Sequence, residues 1–331
     1  MTRAWHQLAW EARHPSAPSP SFGGHRSPMI RCDVHEVGRS VEGRPLEAFT
    51  LSPERAPRDR PLPTVLLTGL MHGIEFIGSV ALKRVVEALL RRRRDVLQRA
   101  RFVVLPFVNP DGFHNSSARV RAGRTGWQRV NANGVDLNRN FPWLGERMPR
   151  HPFSGTRIPK LPHYVGRHPF SEPETRAIRN VVDEFRPCLS LGFHSPGNML
   201  LYPWGHTDRP NPRRDMYRRL GHAFNRATRR RYEVKQAVGL YPTVGDMDDW
   251  LDGERNCLAL TVEVGAIHPS ILAPRRLLDP FCWMNTPRAE AEITNLVPGV
   301  LALLDAAIGD DAAEETPTFQ HRPAPLPFAA K

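Results

Sequence analysis

Thr64-Val65-Leu66-Leu67-Thr68-Gly69-Leu70-Met71-His72-Gly73-Ile74-Glu75, followed by apolar positions at helical spacing from Phe76 to Leu90, is the stretch that decides the fold. Thr64 to Gly69 is a short, continuous apolar run closed by glycine, the pattern of a strand buried on both faces. Similar runs recur at Arg101–Val108, Cys188–Phe193 and Leu258–Val264. Helical patterns follow at Pro173–Phe185, Asp215–Arg231 and Ala289–Ile308. Ser171 and Glu174 stand in capping-box positions ahead of the first of these. Strands alternating with helices predict an α/β fold, with a mixed, mostly parallel central sheet and helices on both faces, in a single domain. Upstream, Cys32–Leu51 alternates around Gly43-Arg44-Pro45 like a hairpin, and Pro53–Pro63 reads as a connector. Asn115–Pro169 is rich in Gly, Pro, Asn and Arg and predicts long loops, which in compact domains usually serve a site.

At 331 residues the chain suits one domain that buries most of its apolar surface. That domain is expected over 29–308. Residues 1–28 are expected to be a disordered extension or a misassigned start, and 309–331 a disordered tail, acidic and then Pro-rich. No run of eighteen apolar residues occurs, so no membrane span is expected. The first 28 residues lack the continuous apolar core of a secretory signal, which predicts a cytoplasmic protein. Cys32, Cys188, Cys257 and Cys282 form no C-x-x-C pair and read as reduced thiols. The net charge of +12 rests on 46 basic residues, of which four are Lys. A nucleic-acid surface and an Arg-rich solvated surface both fit that number. The second is favoured, because no aromatic-and-basic binding module accompanies the charge. The run Arg91–Arg94 closes a helical pattern, where positive charge complements the helix dipole. Neither a nucleic acid nor a membrane is expected as partner, and the chain is expected to be a monomer.

His72 and Glu75 lie between the first strand and its helix. A His and a Glu three residues apart can reach one ion from a single turn, with nitrogen and oxygen donors suited to zinc. Alone the spacing is weak. A catalytic zinc needs a third protein ligand and an open position for water, and His194 ends the run Cys188–Phe193. Glu263 ends another, in Leu260-Thr261-Val262-Glu263-Val264-Gly265. Open α/β sheets gather their ligands beyond the carboxyl ends of the strands. A carboxylate closing a buried strand is costly unless it has a task or a partner.

Here the sequence resembles the zinc metallocarboxypeptidases, in the branch of the pancreatic enzymes and their bacterial relatives, from about Val37 to about Leu304. Val37–Leu46 is similar to the family's opening hairpin, and His72-Gly73-Ile74-Glu75 to its first zinc motif, where Asn is commoner than Ile at the third position. Val108-Asn109-Pro110-Asp111-Gly112, Gly134–Pro142, Ser171–Thr175 and the segment at His194-Ser195 follow in the family's order. Tyr241, Gly245, Asp249-Trp250 and Glu263 complete it. The resemblance implies one zinc per chain, held by His72, Glu75 and His194. It implies that Asp136 orients the first zinc histidine. Glu263 would take a proton from the attacking water and deliver it to the leaving amine. Asn138 and Arg139 would grip a substrate's terminal carboxylate, with Tyr241 closing over it. Arg129 is the choice for stabilising the oxyanion, with Arg121 and Arg124 as alternatives, because Trp127-Gln128-Arg129 departs from the usual Trp-Arg pattern. Asp248 stands where the pancreatic enzymes place the base of the side-chain pocket. It implies a preference for basic C-terminal residues, unless it only duplicates Asp249 on a turn.

The implied activity is a zinc-dependent carboxypeptidase acting on peptides with a free C-terminal carboxylate. Its nearest rival keeps the zinc but cleaves γ-D-glutamyl-diaminopimelate links of murein peptides, or removes acyl groups from amino acids. A binding domain of the same fold that has lost catalysis is a rival of another class. All three metal ligands and the catalytic glutamate are present here, which argues against it.

Overall fold

The structure is a computed structural model that describes residues 2–13, 29–55, 61–126, 128–145, 148–267 and 279–309. Helix α1 (Thr2–Arg13) precedes the hairpin of β1 (Ile30–Arg39) and β2 (Pro45–Pro53). Strand β3 (Thr64–Gly69), helices α2 (Phe76–Arg92) and α3 (Arg94–Arg99), strand β4 (Arg101–Leu105) and helix α4 (Pro110–Arg121) follow. The second half holds α5 (Pro173–Phe185), β5 (Leu189–His194), β6 (Met199–Tyr202), α6 (Arg214–Ala227) and β7 (Glu233–Gln236). It closes with α7 (Met247–Arg255), β8 (Leu258–Glu263), α8 (Pro280–Met284) and α9 (Ala289–Ile308). Among the described residues the strands form one mixed sheet in the order β1-β2-β4-β3-β5-β8-β6-β7. Its four central strands, β4, β3, β5 and β8, are parallel, which is the expected α/β architecture.

The continuous apolar runs are strands buried on both faces. Val65 and Leu67 of β3, Phe102 and Val104 of β4, and Leu260 and Val262 of β8 pack into one core with α1, α2, α6 and α9. Leu66, Val103 and Ala259 point the opposite way, toward α5 and α7. Period-two alternation is therefore present, but both sets are apolar. Strand β4 stops at Leu105 rather than Val108, since Pro106 cannot donate to the ladder. The segment Pro280–Ile308 has the length and mean hydropathy, 1.5, of a membrane span. Its apolar stripe, with Leu296, Val300, Leu303 and Leu304, is buried in the core instead.

Three further expectations are corrected. The first 28 residues were expected to be disordered, yet 2–13 form α1. Trp5, Leu8 and Ala9, at helical spacing, are buried with Phe49 of β2, the Trp5 and Phe49 rings 5.7 Å apart. Residues 1 and 14–28, and the expected tail from 310 on, lie outside the described residues. Asn115–Pro169 is not all loop, because α4 runs to Arg121, with Asn109 accepting from the Gly112 N–H as its cap. The capping box at Ser171 and Glu174 is not formed: α5 starts at Pro173 with Glu172 as N-cap and no side-chain cap bond. The Glu174 carboxylate, fully buried, instead accepts from the Asn131 side chain and the Val41 N–H.

Burial pushes the Glu174 carboxyl up to about 7, against hydrogen bonds that lower it. An acid whose proton binds more tightly in the folded state adds stability below its unfolded value, near 4.5. That stability is lost as pH rises through about 7. Trp5→Ala should lower the unfolding free energy by about 3–5 kcal/mol, the usual cost of emptying a large aromatic site. Urea unfolding monitored by far-UV circular dichroism checks this; a change under about 1 kcal/mol would mean that α1 is not docked.

Candidate metal centre and active site

Three neighbouring strands deliver the polar groups from their carboxyl ends. Strand β3 ends at Gly69, and the turn Leu70–Glu75 carries His72 and Glu75 to the edge of the sheet. His194 ends β5 and Glu263 ends β8, and the two are direct partners in the parallel ladder. The turn is braced from below: Asn109 donates to the Met71 carbonyl, and the Gly73 N–H to the Arg129 carbonyl. A side chain at Gly73 would put its Cβ 2.3 Å from the Gly112 carbonyl carbon, so the two motifs meet backbone to backbone.

His72 Nδ1 lies 2.7 Å from Glu75 Oε1, His194 Nδ1 lies 2.9 Å from Glu75 Oε2, and the two Nδ1 atoms are 3.2 Å apart. All three residues are buried, and their ligand atoms lie within 4.8 Å of one another. Donors bound tetrahedrally at zinc's usual distances sit about 3.3 Å apart, so the triangle nearly has the edges that ion demands. Burial alone would push the Glu75 carboxyl up, but His72 and His194 outweigh it and hold it below the usual carboxylate range. Donor set and spacing both fit zinc.

Asp136, 0% exposed, links this triangle to the rest of the site. Its Oδ1 faces His72 Nε2 at 3.2 Å and accepts from the Asn138 N–H at 3.1 Å. Its Oδ2 accepts from Arg129 Nε at 2.9 Å and faces His163 Nδ1 at 3.1 Å. Burial would raise this carboxyl, yet Arg129, His72 and His163 hold it well below the ordinary range. Arg129 also reaches Glu75 through a guanidinium N–H at 3.4 Å, and Tyr241 is among its electrostatic neighbours. Arg121 and Arg124 are exposed near the end of α4, which leaves Arg129 as the arginine beside the metal ligands.

Glu263 lies on the same face of β8 as Thr261, one strand period away. Burial pushes the Glu263 carboxyl up to about 8, with Glu75 adding to the effect and His194 opposing it. Asn138 Oδ1 accepts from the Met247 N–H, which leaves the amide nitrogen as donor. Arg139, 3% exposed, gives Nε and one Nη2 hydrogen to the Phe153 carbonyl and an Nη1 hydrogen to the Asn138 carbonyl. Two of its five N–H groups have no acceptor, and no carboxylate pairs with it, among the described residues. Tyr241 stacks on His151 with ring centroids 5.7 Å apart and meets the Phe153 ring edge-on at 5.5 Å. Asp248 does not merely duplicate Asp249. Its Oδ2 accepts from Thr261 Oγ1 at 2.7 Å and its Oδ1 has no partner among the described residues, whereas Asp249 accepts from the Gly205 and His206 N–H groups and pairs with the His206 ring.

Of the residues named from the sequence, His72, Glu75, His194, Asp136 and Arg129 meet in one contact network, to which His163 and the Phe153 carbonyl, not named from the sequence, are joined through Asp136 and Arg139. A histidine in a Gly- and Pro-rich loop carries no spacing signal. Phe153 acts through its carbonyl, which no side-chain pattern records.

A family model described as zinc carboxypeptidase matches residues 26–285. Carboxypeptidase B of Astacus astacus is 29% identical over 247 residues, covering 70% of this chain and 78% of its own length. Carboxypeptidase A6 of Mus musculus is 30% identical over 268 residues, covering 75% of this chain and 59% of its own. The crystal structure of carboxypeptidase A from Helicoverpa armigera superposes with a TM-score of 0.69 at 25% identity, covering 86% of this chain and 70% of that one.

Replacing Asp136 by Asn removes the acceptor charge that orients the His72 ring, and Zn2+ affinity should fall roughly 10- to 100-fold. Competition with a chromogenic chelator measures it. Unchanged affinity would remove Asp136 from the support of the site.

Proposed function

The chain belongs to the zinc carboxypeptidase family, and from that premise we propose that it removes single residues from the C-termini of peptides, with a preference for basic ones. The observation that carries the exopeptidase reading is Arg139. A buried guanidinium with no carboxylate partner and two spare N–H groups among the described residues is a deficit that one planar anion fills. The terminal carboxylate of a peptide supplies that anion, and the Asn138 amide donates beside it. Tyr241, in the aromatic contact with His151 and Phe153, would cover the same end.

With the terminal residue anchored there, the scissile bond is set between Arg129 and Glu263. His72, Glu75 and His194 would hold the zinc, which supplies a Lewis acid that polarises the carbonyl and acidifies water. Glu263 accepts the proton of the attacking water on a carboxylate oxygen and passes it to the leaving nitrogen, so that no proton is lost to solvent. Arg129, fixed by Asp136, offers guanidinium hydrogens to the oxygen on which negative charge develops. Glu263→Gln removes the proton carrier while leaving the three metal donors in place. Activity should drop by several orders of magnitude with zinc content unchanged, and a drop under tenfold would overturn the role.

Asp248 supports the basic preference. It is 9% exposed and has an unpartnered oxygen, and its burial, together with Asp246, holds its carboxyl far above the usual range. A cationic side chain binds the ionised form, whereas the empty pocket favours the neutral one. Raising the pH therefore strengthens binding of basic residues, while binding of neutral residues gains nothing from this group. The ratio of KM for a Leu-terminated peptide to that for its Arg-terminated counterpart should rise as the pH is raised from acid toward alkaline, where this raised carboxyl gives up its proton. A flat ratio near one would reject the preference. Equal cleavage of a peptide and its C-terminal amide would instead reject the exopeptidase reading, and favour an amidase that needs no free terminus.

A further inference from the structure

Helix α2 opens on a conflict between two duties of one residue. Its N-cap is Glu75, and an N-cap side chain ordinarily accepts from the N–H two or three residues on. Glu75 makes no such bond, because its Oε1 and Oε2 lie beside His72 and His194. The N–H of Ile77, two residues on in a buried first turn, would then lack an acceptor. Asn285, just past α8 and 208 positions away along the chain, supplies one: its Oδ1 accepts from the Ile77 N–H at 2.9 Å. Its Nδ2 donates to the Ile74 carbonyl at 2.8 Å. The two bonds fix which way the amide points, since the reverse would set NH2 against an N–H and oxygen against a carbonyl. Nδ2 also donates to the Phe281 carbonyl at 3.1 Å, and the Phe281 ring meets Phe76, the first residue of α2, edge-on at 5.1 Å. Asn285 is thus anchored on α8, and α8 on the start of α2.

We propose that Asn285 is a positioning residue that caps α2 in place of Glu75 and so leaves the Glu75 carboxylate to the metal. This rests on the reading of His72, Glu75 and His194 as the metal's donors. Without Asn285 the Ile77 N–H has no acceptor, and the carboxylate at the capping position is the anion that turns to it, favoured further by the positive end of the helix dipole. A bond gained there is a donor withdrawn from the triangle. His72 is held independently, by Asp136 and by the Gly73 N–H to the Arg129 carbonyl, and His194 by the ladder of β5 and β8. The loss therefore falls on Glu75.

The test measures Zn2+ affinity of the full chain by competition with a chromogenic chelator, beside the thermal midpoint of each metal-free variant. Asn285→Ala should weaken Zn2+ binding about tenfold, the usual cost of removing a group that supports a ligand. Asn285→Leu, which keeps the volume and removes both polar atoms, should repeat this. Asn285→Asp, which keeps an oxygen for the Ile77 N–H, should stay within about threefold of the wild type. In a Glu75→Ala background, adding Asn285→Ala should change the affinity by less than about twofold, because the group through which it acts is gone. Unchanged affinity in Asn285→Ala, or a loss in Asn285→Asp as large as in Asn285→Leu, overturns the role. An equal loss with and without Glu75 also overturns it and makes Asn285 a general prop of the turn. Failure of the wild type to bind one Zn2+ overturns the metal centre itself, a different result from failure of the cap.

Discussion

The buried carboxylate of Asp136 is the constraint on which the site depends. It receives hydrogen bonds from a metal-binding imidazole, a guanidinium, a second imidazole and a backbone N–H, at 2.9–3.2 Å. One anion thereby fixes the tautomer of His72, the aim of Arg129 and the start of the short helical turn that carries Asn138 and Arg139. The candidate metal ligands, Arg129 and the turn carrying Asn138 and Arg139 share this reference point, so none can drift independently of the others. The arrangement is affordable only because three positive or polarisable groups surround an acid that burial would otherwise neutralise.

The sheet gives that network a rigid edge. Parallel strands buried on both faces cannot slip by one residue without turning their side chains to the wrong layer. The register that pairs His194 with Glu263 is therefore imposed by the core beneath it. The loops above are tied together through main-chain contacts. The Phe141 N–H donates to the Gly245 carbonyl, and Gly245, at φ 64°, has no room for a Cβ beside the Arg139 and Phe141 carbonyls. The segment of Arg139 and the loop before α7 are thus tied through the main chain.

Much of this was legible in the sequence because it depends on residue types that are costly to misplace. His194 and Glu263 break apolar runs at strand ends, and α5 and α9 begin and end where their patterns predict, α5 opening on Pro173 at its first turn. The hidden parts have physical causes. Helix α1 is half polar and only twelve residues long, and the partner of its Trp5, Phe49, lies far along the chain, so its docking is not written in the local sequence. Strands β6 and β7 have four residues each, too short for periodicity to declare them. Glu174 sits where a capping residue would, and is drawn instead to Asn131 and Val41 from distant loops. Tertiary hydrogen bonds outweighed a local preference there.

Arg139 is held by the oxygen of a peptide unit at position 153, not by that residue's ring. An oxygen of this kind is supplied by every amino acid, so the genetic identity of position 153 is free of the duty of anchoring. A lineage could exchange the aromatic ring for other shapes, and so reshape its contacts with Tyr241 and His163, while the hold on the guanidinium is inherited unaltered.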